Sequence, residues 1–80
     1  MEHKMIVEIF GKEQCPFCDK AKGLAERMGH DYTYMQLGLD FEFPEFMEKF
    51  PTARTFPQIK IDGTDIGGYT ELEDWSENKE

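Results

Sequence analysis

Positive charge is what this sequence has least of. It sets 9 Lys and Arg against 17 Asp and Glu, a formal net charge of −8 over 80 residues. Nucleic-acid binding is excluded on that ground, because phosphate contacts need clustered cations. Long apolar runs are also missing. No stretch approaches the roughly 18–20 residues of a membrane span, so no membrane partner is expected. The opening residues MEHKMIVEIF have neither a secretory apolar core nor a small-residue cleavage site, which predicts a cytoplasmic protein. Linkers, internal repeats and low-complexity tracts are absent, and the length predicts a single domain over 1–80. A domain so small has little stability to spare. Its 39% apolar and 14% aromatic content is nevertheless enough to fold without metal or disulfide staples.

Cysteine is equally scarce. The chain has two, spaced as Cys15-Pro16-Phe17-Cys18. A bridge between them closes a loop of about four residues and contributes only about 2 kcal/mol by loop entropy, against about 4.7 for a 100-residue loop. Lasting disulfides are uncommon in a reducing compartment. Reversible redox chemistry is therefore favoured over a structural staple. A structural zinc site wants four ligands, and only His3 and His30 stand beside the cysteines. No metal site is expected.

The apolar pattern gives the elements. Met5 to Phe10 reads as a buried strand. A helix is expected to begin near Cys15, since Pro16 suits the first helical position. Cys18, Ala21, Ala25 and Met28 then recur on one face, and Gly29 is its stop. Tyr32 to Leu37 reads as a second strand. Asp40 is a candidate cap for a helix carrying Phe43, Phe46, Met47 and Phe50, with Pro44 awkward inside it and Pro51 at its end. Gln58 to Ile61 is a strand with Ile59 and Ile61 on one face. Asp62-Gly63 turns it into a partner over Thr64 to Ile66, which Gly67-Gly68 breaks. Thr70 and Glu73 have capping-box spacing, opening a last helix that buries Leu72 and Trp75, with the tail fraying from Ser76. The order βαβαββα predicts a small four-stranded mixed sheet flanked by helices, an α/β class. A CxxC at the first strand-to-helix junction of such a unit is a thioredoxin-like signature.

The spacing also suggests roles. The reactive form of cysteine is the thiolate, and an ordinary thiol with pKa about 8.5 is only about 3% ionised at pH 7. Cys15 falls where a helix N-terminus favours negative charge, and Lys12 lies three residues earlier. Cys18 follows one turn later on the same side. Cys15 is thus the candidate nucleophile and Cys18 the resolving thiol. The charge is uneven as well: residues 1–39 carry a net −1 and residues 40–80 a net −7. The cysteine half is left nearly neutral, and the acidic half is suited to steering basic partners.

The segment Ile9-Phe10-Gly11-Lys12-Glu13-Gln14-Cys15-Pro16-Phe17-Cys18 resembles the active-site segment of the glutaredoxin family. Thr55-Phe56-Pro57-Gln58-Ile59 resembles that family's Thr-Val-Pro segment, and Ile66-Gly67-Gly68-Tyr69-Thr70-Glu71-Leu72 its Gly-Gly segment. The three stand in the family's order across essentially the whole chain, most like its compact bacterial and viral members. Phe17 stands where tyrosine is common, Phe56 where valine is usual and Glu71 where aspartate is common. The Asp40 to Pro51 region departs from the pattern, and the last helix is short.

The resemblance implies a glutathione-dependent dithiol oxidoreductase with no tightly bound cofactor, glutathione being a co-substrate. Pro57 would be cis and opposite the cysteines, beside Thr55 and the backbone of Phe56, which would pair with glutathione. Lys12 and Arg54 would meet its glycyl carboxylate. Thr70 and Glu71, next to Gly68, would hold its γ-glutamyl end, and Phe17 would offer stacking area. The family's potentials, about −200 to −230 mV, suit exchange with the glutathione pool. Implied partners are glutathione and disulfide-containing proteins, ribonucleotide reductase among them, met by a monomer. Two other readings stay open: an electron donor reduced by thioredoxin reductase, and a glutathione-ligated iron–sulfur carrier, which Pro16 and Cys18 disfavour.

Overall fold

A computed structural model of the chain describes residues 5–53 and 55–78. The first strand organises it. β1 (Ile6–Gly11) sends Val7 and Ile9 to one core and Phe10 to another, since alternate side chains of a strand face opposite ways. α1 (Pro16–Met28) crosses over to β2 (Asp31–Gln36), which lies parallel to β1 with Ile6 opposite Asp31 and Gly11 opposite Gln36. α2 (Phe43–Lys49) leads to the antiparallel pair β3 (Gln58–Ile61) and β4 (Thr64–Gly67), and α3 (Tyr69–Asn78) follows. β3 pairs with the free side of β1, so the sheet runs β2-β1-β3-β4. This is the expected element order and the expected four-stranded mixed sheet.

One face of the sheet packs Val7, Ile9, Ile59 and Ile61 against Ala21, Leu24 and Ala25 of α1 and Leu72 of α3. The other face carries an aromatic core of Phe10, Phe41, Phe46 and Phe50. Phe46 is its hub, with ring centroids 5.7 Å from Phe41, 5.1 Å from Phe50 and 4.7 Å from Phe56. Such aromatic pairs contribute about 0.5–1.5 kcal/mol each beyond the area they bury.

The turns and caps explain the boundaries. Gly29 ends α1 in the left-handed conformation with φ +78°. Asp62 and Gly63 both have positive φ, +51° and +84°, as a two-residue hairpin turn requires. Asp62 also ties this turn to the start of β1: its carboxylate accepts from the Ile6 N–H at 2.9 Å, and its own N–H donates to the Ile6 carbonyl at 2.9 Å. β1 takes in Gly11 and β2 begins at Asp31, one residue off the expected spans. The parallel register runs to the Gly11–Gln36 pair, after which the Leu37 N–H donates to the Gly11 carbonyl at 2.9 Å.

Two expected caps are corrected. Asp40 does not cap α2; its carboxylate accepts from the Gln36 N–H at 2.9 Å in the preceding turn. Glu42 is the N-cap, in a reciprocal capping box with Glu45. Pro44 falls in the first turn, where its missing N–H costs nothing. Thr70 does not open α3 either, since the helix starts at Tyr69. The Gly68 carbonyl accepts from the Leu72 N–H at 3.0 Å, and the Gly68 N–H donates to the Glu71 carboxylate at 2.8 Å. Ser76 remains helical, its hydroxyl donating to the Glu73 carbonyl at 2.8 Å, so fraying does not begin there. His30 is half-buried beside Trp75 and accepts the Met5 N–H on Nδ1 at 3.3 Å.

Candidate active site

The Cys15–Cys18 pair sits where β1 hands over to α1. Cys15 is the helix N-cap, with extended φ and ψ of −127° and 98°. Its carbonyl accepts from the Cys18 and Asp19 N–H groups at 3.0 and 3.2 Å, and its Sγ accepts from the Cys18 N–H at 3.2 Å. The sulfur thus occupies the position of a capping oxygen, the place where a helix N-terminus favours negative charge. Pro16 holds the first turn. The two residues are joined by a disulfide with Cα atoms 5.2 Å apart. Cys18 is fully buried, whereas Cys15 stays 9% exposed. Of the two, Cys15 is the residue that keeps some contact with solvent.

The loop before β3 faces the disulfide. The Phe56–Pro57 peptide is cis, and the Phe56 carbonyl oxygen lies 3.9 Å from Cys15 Sγ. Two contacts fix this loop. The Gln58 side-chain amide donates to the Thr55 carbonyl at 2.9 Å, and the Phe56 ring stacks on Phe46 of the aromatic core.

A groove of about 420 Å³ runs from this loop to the start of α3, within the roughly 300–1,000 Å³ usual for small-ligand clefts. Of the expected binding residues, Phe17, Thr55, Phe56, Pro57, Gly68, Thr70 and Glu71 all line it. At its far end stand the first N–H groups of α3, which have no acceptor one turn earlier in the helix. Close backbone approach is visible at Gly68, where a Cβ would come within 3.2 Å of the Pro57 carbonyl. Lys12 lies elsewhere. It lines a second depression beside β2, with its ammonium 5.9 Å from the Phe56 ring centroid. Arg54 lies outside the described residues. Tyr69 and Gln58 also line the groove and were not singled out from the sequence. The Tyr69 ring is 5.9 Å from that of Phe17, so the aromatic at position 17 has a partner across the groove.

Behind the cysteines, the Tyr34 hydroxyl donates to the Lys12 carbonyl at 3.3 Å. Lys22 Nζ lies 4.2 Å from the Tyr34 ring centroid and 3.6 Å from Asp19. Burial raises the Tyr34 phenol above its ordinary pKa, with the Asp19 charge acting in the same direction. Among the described residues, no three His, Cys, Asp or Glu side chains are grouped to hold a metal ion. Nor is any helix among them long and apolar enough to cross a membrane.

A CxxC disulfide capping the first helix of a β2-β1-β3-β4 sheet, opposite a cis-proline loop, defines a thioredoxin-like thiol–disulfide oxidoreductase. Within that class, the family model for glutaredoxin matches residues 7–66. The chain is 38% identical over 76 residues to the glutaredoxin of Haemophilus influenzae, covering 86% of this chain and 87% of that protein. It is 34% identical over 74 residues to glutaredoxin 1 of Escherichia coli, covering 84% and 87%. The solved structure of reduced Escherichia coli glutaredoxin is similar at a TM-score of 0.79 and 31% identity, covering 92% of this chain and 95% of that one. The chain belongs to the glutaredoxin family.

Proposed function

We propose that the chain is a cytoplasmic, monomeric, single-domain oxidoreductase that uses glutathione to reduce protein disulfides and glutathione mixed disulfides. The observation that carries this reading is the Cys15 sulfur, capping a helix and accepting the Cys18 N–H at 3.2 Å, 3.9 Å from the carbonyl of Phe56, a residue of the groove that reaches a second helix N-terminus. In the reduced protein that N–H and the helix dipole stabilise a Cys15 thiolate. The thiolate attacks one sulfur of a substrate disulfide; a Cys15 mixed disulfide forms and the other sulfur leaves as a thiolate that takes up a proton. Cys18 then attacks Cys15 Sγ, the substrate leaves as its thiol, and the Cys15–Cys18 disulfide remains. Two glutathione molecules restore the dithiol and depart as glutathione disulfide, which balances the electrons.

Glutathione suits the groove group by group. Its cysteinyl backbone pairs with the edge at Phe56 as a short added strand, next to Cys15 Sγ. Its γ-glutamyl carboxylate meets the N–H groups at Thr70 and Glu71. Glu71 already accepts from Gly68 at 2.8 Å and keeps lone pairs for the γ-glutamyl ammonium. Lys12 reaches the glycyl carboxylate past the Phe56 ring, assisted by Arg54. A ribonucleotide reductase is a candidate protein substrate on family grounds alone.

The test is turnover of a small glutathione mixed disulfide with glutathione and glutathione reductase. Cys15→Ser abolishes it, while Cys18→Ser keeps monothiol turnover and loses reduction of protein disulfides. Absence of turnover in the intact chain overturns the reading. Reduction by thioredoxin reductase but not by glutathione assigns the chain to the other donor class.

A further inference from the structure

The groove occupies only half of the active-site end of the sheet. The ends of β3 and β4 belong to it. On the other flank, past β1, the second depression of about 380 Å³ is lined by Lys12 and Glu13 from the loop before Cys15, by Gln36 at the end of β2 and by Leu37 to Leu39 after it. The disulfide loop therefore stands between two concave surfaces, and the proposed function takes only Lys12 from the second of them.

Leu39 is 77% exposed, the largest value for an exposed large hydrophobic among the described residues. Gln36 holds two carboxylates at this end of β2: its side-chain amide donates to Glu13, which lines the depression, at 3.3 Å, and its backbone N–H donates to Asp40, next in sequence to the lining residue Leu39, at 2.9 Å. From Gln36 to Glu48 the chain carries Asp40, Glu42, Glu45 and Glu48 and no Lys or Arg. Lys12, the one cation in the lining among the described residues, has its ammonium 5.9 Å from the Phe56 ring centroid, on the groove side. An apolar contact beside hydrogen-bonded carboxylates suits polypeptide that is basic and aliphatic.

We propose that this depression docks the segment of a substrate protein flanking the cysteine that bonds to Cys15, and that it selects a segment bearing Lys or Arg next to an aliphatic residue. The site is continuous with the active-site loop, since Glu13 precedes Cys15 by two residues. The proposal rests on the oxidoreductase reading and names the class of protein substrate for it.

The test compares three substrates: a small glutathione mixed disulfide, a peptide disulfide with Arg and Leu beside the reacting cysteine, and the same peptide with Glu and Ser in those places. The basic peptide is expected to be reduced with higher kcat/KM than the acidic one, and the preference shrinks as salt screens it. Leu39→Ser and Glu13→Lys each lower kcat/KM on the basic peptide at least about fivefold, through KM, the scale of one lost leucine contact. Leu39→Ser leaves the small substrate unchanged, which also verifies folding, and for Glu13→Lys the readout is the ratio of kcat/KM on the basic peptide to that on the small substrate. Equal use of the two peptides, or variants that leave the basic peptide untouched while the small substrate turns over, overturns the docking site. Failure of the intact chain on the small substrate overturns the oxidoreductase reading itself, and the docking site with it.

Discussion

The Tyr34 hydroxyl fills the space that a side chain at Gly11 would need. A Cβ built on Gly11 collides with that oxygen, and it comes within 2.9 Å of Tyr34 Cε1 and 2.8 Å of Cys18 Sγ. Neither neighbour yields easily. The phenol is held by the Lys12 carbonyl and the ring lies against Lys22, while the sulfur is fixed in the disulfide. Gly11 is needed here for the close approach of β2's Tyr34 to the back of the resolving cysteine.

Gly11→Ala is therefore expected to destabilise the chain by about 1–3 kcal/mol, the usual range for overpacking. Urea denaturation measures it. Combining it with Tyr34→Ala should cost clearly less than the two single changes together, because the second substitution removes the group that the first strikes. Simple additivity in this double-mutant cycle would show that the two residues do not share the space.

Phe46 links the aromatic core to the active-site loop. It is 2% exposed and stacks beneath Phe56, the residue whose carbonyl lies 3.9 Å from Cys15 Sγ. Phe46→Ala should cost about 3–5 kcal/mol. A domain of this size has a total stability of only about 4–12 kcal/mol, so that variant sits near the threshold of folding. Phe46→Leu keeps most of the volume and is the better kinetic probe. It should raise KM for glutathione more than it lowers kcat, because it loosens the surface under Phe56 and leaves the sulfurs in place. An unchanged KM would mean that the loop holds its shape through Gln58 alone.

The sequence made the order of elements legible because each boundary has a local cause. Pro16 and Gly29 bracket α1, and Asp62-Gly63 makes the hairpin. The caps of α2 and α3 were misread where two residues compete for one role. Asp40 and Glu42 are both able to cap α2, and what decides is that the Gln36 N–H already engages Asp40. Thr70 has better capping chemistry than Gly68, but the chain enters α3 two residues earlier and Glu71 reaches back instead. The position of Lys12 was equally hidden. Lying three residues from Cys15 does not say on which flank of the loop a side chain stands. The Gly11–Tyr34 contact is diagonal across neighbouring strands, since the register pairs Tyr34 with Ile9 and Gly11 with Gln36, and no local pattern in the chain encodes it.

Glu71 has a structural role and a proposed binding role, and a substitution series separates them. Its carboxylate accepts the Gly68 N–H at 2.8 Å, and its stem lies over Gly67, where a Cβ would be 2.8 Å from Cγ. Glu71→Gln keeps an acceptor for Gly68 and should cost under about 1 kcal/mol, whereas Glu71→Ala removes it and should cost about 1–2 kcal/mol, as for a lost cap. Both remove the negative charge, so both should raise KM for glutathione. A normal KM in Glu71→Gln with a raised KM in Glu71→Ala would leave the side chain only its capping role.

Tyr34 also makes a prediction at high pH. Burial, and after it the Asp19 charge, raise this phenol above its ordinary value of 10.0, so the folded chain holds the proton more tightly than the unfolded chain does. The resulting stabilisation is fully present below about pH 10 and is lost as pH rises through the folded value. Tyr34→Phe has no such proton to lose. The difference in unfolding free energy between the chain and this variant should therefore stay constant up to about pH 10 and then shift in favour of the variant. Urea denaturation at matched pH measures this, and subtraction cancels the other tyrosines and the lysines. A shift in favour of the unsubstituted chain would mean that Lys22, 4.2 Å from the ring centroid, stabilises the phenolate more strongly than burial and Asp19 oppose it.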